Sequence, residues 1–267
     1  GGHAAARGRF ARGLRGAPVL SEQVADFRDG EEFARELFAR LPLREVEPVI
    51  QRLEEKSRRF RFLLSPEAVG QLQADSVAEL LRLVFGTRRR AEALLADPGV
   101  GVLRRALEEL LYGSGSVDQR FTAFCGHFPE PRREAEAVDL AGEVLHWVDP
   151  HRYWLWTRWM WNPRTQTGAL RLLVADWRPL VAPTVGEAYL RVGEAVAYAE
   201  AARQSLGLFA HAPAGTPSFL TDIYLACVYT LYLFTALRMR MSQEFTKILP
   251  GPWELMQRLL GVGGVEV

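Results

Sequence analysis

Three observations predict an all-α fold, a multi-helix orthogonal bundle of about ten to twelve helices. Apolar residues recur at helical spacing along most of the chain, as in Val77, Leu80, Leu81 and Val84. Capping residues bracket these runs: Thr184 stands three residues before Glu187, and Gly207 follows the same stretch. No alternating apolar and polar run of strand length stands out, and 170–175 is the one ambiguous stretch. The chain has 267 residues, 48% of them hydrophobic, enough to bury a sizeable core. A formal net charge of +1 marks no global field for nucleic acid or membrane. Cys125 and Cys227, the only two cysteines, exclude a disulfide framework and an all-cysteine metal site. No metal and no cofactor is expected, and the composition fits a reducing, cytoplasmic compartment.

In chain order, residues 1–16 carry Arg7, Arg9, Arg12 and Arg15 with no acid, and read as a basic flexible tail without the apolar stretch of a signal peptide. Phe33, Leu37, Phe38 and Leu41 form a helical stripe that Pro42 ends. Val46, Val49, Ile50 and Leu53 form the next. Ser65-Pro66-Glu67 has the residues that start a helix, expected to run to Gly86. Thr87 is placed to cap a helix over 87–95, and others are expected over 102–112, 116–124 and 134–147. Asp149-Pro150 opens a helix that Asn162-Pro163 stops. Helices over 184–206, 219–241 and 252–260 complete the chain. The uncharged run 223–237 is short for a bilayer crossing, which takes about 20 residues, so no membrane partner is expected. Gly113-Ser114-Gly115-Ser116 is the most linker-like tetrapeptide. It suggests an N-terminal helical subdomain over 17–113 and an aromatic-rich one over 114–267, or one continuous domain.

Asp97-Pro98-Gly99-Val100-Gly101 joins two expected helices, with Arg104 and Arg105 just after it and Arg88, Arg89 and Arg90 before it. The Pro98-Gly99-Val100-Gly101 turn resembles the helix-hairpin-helix module of DNA-binding proteins over about 20 residues. The resemblance implies that Gly99 and Gly101 admit a phosphate to backbone N–H groups at a helix start, with Arg88, Arg104 and Arg105 adding charge. Asp97 stands where the family has an apolar residue, and Ala106 lies one place later than the family's alanine. Among base-excision glycosylases of this type, a catalytic Asp follows in a Val-Asp context, which Val117-Asp118 resembles.

Trp147, Tyr153, Trp154, Trp156, Trp159 and Trp161 crowd one segment. On a helix from Pro150, Trp154, Arg158 and Trp161 fall at i, i+4 and i+7. That face, with Arg164 in the loop beyond, would suit a protein partner, a second copy of the chain or a stacked ligand. His146 and His151 are five apart, which matches no helical metal pair. Three functional readings follow. The first is a non-catalytic, nucleic-acid-associated helical protein with DNA as partner. The second is an accessory or scaffold subunit docking through the Trp-rich helix. The third is a glycosylase-like enzyme using Asp118.

Overall fold

The computed structural model describes residues 43–205, 207, 217–238 and 251–263. The expected basic tail and the helix ended by Pro42 lie outside these residues. Among the described residues the chain is all-α, with no strand. The helices are α1 (Leu43–Leu63), α2 (Ala74–Leu83), α3 (Val100–Tyr112), α4 (Val117–Gly126) and α5 (Glu136–Val148). They continue with α6 (Ala169–Leu173), α7 (Val185–Ser205), α8 (Pro217–Arg238) and α9 (Pro252–Leu259).

The patterns that predicted these helices also bury them. Val46, Val49, Ile50, Leu53 and Phe60 turn one face of α1 inward, where it packs on α5. Thr184 Oγ1 accepts the N–H of Glu187 at 3.1 Å and starts α7. Helix α5 is central: every residue from Ala137 to Trp147 is buried, and α1, α3 and α4 all pack against it. The buried apolar residues from α1 to α9 belong to one cluster. Helix α8 buries Ile223, Leu225 and Ala226 in that core. No helix among the described residues is long and apolar enough to cross a membrane.

Three expected elements differ. The helix expected from Pro66 starts only at Ala74, because turns around Ser65 and over Val69–Gln71 come first. The helix expected over 87–95 is reduced to a single α-helical turn, Ala91–Leu94, followed by a wide turn at Leu95–Gly99. Thr87 does not cap it, since its hydroxyl donates to the Leu81 carbonyl at 2.6 Å.

The largest difference is the Trp-rich helix, which does not form. Residues 149–168 run as an irregular strap through the core. Its backbone groups are held by other partners. The Tyr153 carbonyl meets His146 of α5 at 2.8 Å, and the Trp154 carbonyl accepts the Tyr189 hydroxyl of α7 at 3.1 Å. The Arg158 N–H donates to Asp139 of α5 at 2.8 Å, and the Trp161 carbonyl accepts the Trp156 indole at 2.9 Å. The Trp159 and Met160 carbonyls take the N–H groups of Ala169 and Leu170. Trp147, Trp156 and Trp161 are fully closed to solvent. A helix would have pointed its indoles in all directions; a threaded strap lets several elements cover them.

The approach of strap to helix explains Gly142. A Cβ there would stand 1.9 Å from the Trp156 carbonyl oxygen, so only glycine lets α5 and the strap meet.

Candidate functional site: a cleft floored by a buried imidazole

Asp139, Glu143 and His146 lie at i, i+4 and i+7 on α5, one face of an otherwise apolar helix. Each reaches a different element. Asp139 pairs with Arg158 of the strap at 2.8 Å, Glu143 with Lys56 of α1 at 2.7 Å, and His146 with Asp222 of α8 at 2.6 Å. Lys56 also donates to the Leu260 carbonyl at 2.8 Å and lies 4.8 Å from the Trp147 ring. The Trp147 indole N–H donates to the same Glu143 oxygen. Burial pushes the Glu143 pKa up and the Lys56 pKa down, each against its partner's charge. Burial likewise raises Asp139, against the opposing charge of Arg158.

His146 behaves differently. Its two ring nitrogens face two acceptors, the Tyr153 carbonyl at 2.8 Å and the Asp222 carboxylate at 2.6 Å. With the carboxylate and the carbonyl both accepting, both nitrogens donate and the ring is an imidazolium. Burial works against that charge, and the Asp222 carboxylate and the Tyr153 carbonyl outweigh it, leaving the pKa above the ordinary value.

This pair lies beneath a cleft of about 390 Å³. One wall is strap residues Pro150 to Leu155. Helix α7 supplies Leu190, Gly193, Glu194, Val196, Ala197 and Glu200, and α8 supplies Thr221 and Asp222. The Trp154 indole is half-buried in the wall, donates to the Tyr189 carbonyl at 2.8 Å and stacks on the Tyr189 ring at 4.6 Å. Tyr189 stacks in turn on Phe121 at 4.7 Å, which makes the wall rigid. Chemically, the cleft offers an aromatic wall, carboxylates and a fixed ion pair. An imidazolium with both protons engaged has no lone pair to activate a nucleophile.

The expected site residues fall elsewhere, apart from Trp154. Gly99 has φ +95°, and a Cβ there would meet nothing within 4 Å, so the turn faces open space. Gly101 sits in the first turn of α3 with Arg105 beside it. Arg104 donates to the Leu72 carbonyl at 2.8 Å, and Arg88 lies over Phe85 at 4.5 Å, so both lean on the protein itself. Asp118 is half-buried in the first turn of α4 and does not line the cleft. The expected face of Trp154, Arg158 and Trp161 is corrected by the strap. Trp161 is fully buried, Arg158 is bound to Asp139, and Arg164 is exposed in the loop. Among the described residues no group of three His, Cys, Asp or Glu side chains is placed to hold a metal ion.

Sequence reasoning missed Lys56, Asp139, Glu143, His146 and Asp222. A signal was present: three ionisable residues at i, i+4 and i+7 in an apolar helix need buried partners. Comparison with family models, with curated proteins and with solved structures gives no match.

Proposed function

We propose that the chain is a helical small-molecule-binding protein whose site is the cleft between the strap, α7 and α8. The observation that carries this is the cleft itself, with its volume of about 390 Å³ above the buried His146–Asp222 pair. Ligand sites typically measure about 300–1,000 Å³, mostly apolar with a few convergent polar groups. Ala197 lines the cleft and is partly exposed, so a larger side chain there fills the site without entering the core. A fragment panel screened by saturation-transfer NMR tests the reading. Binders should lose their signal with Ala197→Phe while its circular dichroism and melting temperature hold. Binding that is indifferent to Ala197→Phe, or no binder at all, overturns the reading.

A second reading, nucleic-acid association through the hairpin, is favoured by one observation. Gly99 opens toward free space at the start of α3, which has no side-chain cap, and Arg105 lies beside Gly101 in its first turn. Under this reading Arg105→Ala lowers the salt dependence of duplex DNA binding by about one counterion, and Gly101→Ala weakens binding. No DNA binding by the unmutated chain at low salt removes it.

A further inference from the structure

We infer that the proton on His146 Nδ1 is a latch holding the strap to the cleft floor, so that losing it opens the cleft at Tyr153. This rests on the reading of the cleft as a ligand site. His146 bridges three elements: its own α5, the strap through the Tyr153 carbonyl, and α8 through Asp222. With two acceptors opposite it, a neutral ring can satisfy only one. The carboxylate is the stronger acceptor and keeps the Nε2 proton. Nδ1 then presents a lone pair to the Tyr153 carbonyl oxygen, and an attraction becomes a repulsion. The strap is therefore the element that yields, and α8 stays. Tyr153 and its neighbour Trp154 both line the cleft, so a shift there changes the cleft's shape.

The charged groups around the imidazole come from every neighbouring element. Asp222 faces it from α8, and Glu143 from one turn earlier on α5. Lys56 of α1 pairs with Glu143 and feels Asp222. Arg120 of α4 donates to the Tyr153 hydroxyl at 3.2 Å, on the other side of the latched residue. His151 and Arg152 of the strap, with Glu194 and Glu200 of α7, line the same cleft. The sign follows from the raised pKa: the latch is closed below the ordinary histidine value of about 6.5 and is released as pH rises through the higher folded value.

The test uses the full chain labelled with fluorotryptophan and with ¹⁵N-histidine. His146 resonances are assigned with His146→Gln and the Trp154 resonance with Trp154→Phe. The expected result is one shared midpoint for the His146 nitrogens and the Trp154 fluorine, with the fluorine of Trp177, outside the strap and the cleft, unmoved. Asp222→Asn should lower both midpoints together by about one pH unit. A His146 titration with a flat Trp154 signal overturns the latch, as do midpoints that separate in Asp222→Asn. So does a ring that stays protonated until the protein unfolds. If Asp222→Asn does not fold, the shared midpoint of the unmutated chain decides alone. Fragment binding blocked by Ala197→Phe but equal on both sides of the midpoint defeats the latch and leaves the cleft reading standing. No fragment binding at any pH defeats the cleft reading, and the latch is then judged on the shared midpoint.

Discussion

Lys56 has no water to fall back on: both its side chain and that of Glu143 are closed to solvent. Taking away one member of such a pair leaves an uncompensated charge in the core, typically at a cost of about 3–5 kcal/mol, whereas replacing both is often neutral or better. Lys56→Met should therefore lower unfolding free energy by that amount in urea titrations. Lys56→Met combined with Glu143→Gln should recover most of the loss, because the glutamine oxygen still accepts the Trp147 indole N–H. Equal losses in the single and the double variant would show that the pair is not what holds α1 to α5. None of these partnerships was legible in the sequence. Lys56 and Glu143 are 87 positions apart, and His146 and Asp222 are 76 apart. Spacing rules reach only along one helix, so they show that α5 carries charge on one face and not where the opposite charge stands.

At the scale of elements, helices with one apolar stripe were legible and the strap was not. α1, α3 and α7 have one buried face, and the boundaries of α3 and α7 fall within a few residues of the signals that announce them. In the strap five large aromatics leave no polar face, so periodicity carries no information. Asp149 and Pro150 supply a start signal that the chain uses for a single turn, with the N–H groups of Arg152 and Tyr153 both returning to the Asp149 carbonyl. Side chains of α5 and α7 then claim the backbone groups a helix would need. The seam between strap and α5 is tightest at Gly142. Gly142→Ala forces a methyl against a backbone carbonyl and should cost about 3 kcal/mol. Gly126→Ala, at a helix end where a Cβ would meet nothing within 4 Å, should cost nothing. Thermal melts of the two variants side by side check this. A Gly142→Ala melt matching the unmutated chain would mean the strap lies further from α5.

For the molecule as a whole, the all-α class was legible because composition, caps and periodicity agree, and the core follows from the same stripes. The cleft was not, since its walls come from the strap, α7 and α8, which meet only once the chain is folded. The strap also links the two ends of the folding reaction. Its Tyr153 carbonyl and Arg158 amide are held by α5 and its Trp154 carbonyl by α7, so these parts of it cannot order before those helices are docked. Nor can the helices close the core without it, because Trp156 and Trp161 fill their shared interior. In hydrogen exchange the Arg158 amide, bound to the buried Asp139 carboxylate, should then exchange as slowly as the amides of α5, although it lies in a segment without secondary structure. Faster exchange there, at the rate of the exposed turn around Arg164, would mark the strap as a loop that opens alone. If the slow rate is found, the chain has no separable halves. It unfolds as one cooperative unit, and a cut anywhere in the strap would leave two fragments that are each unable to fold.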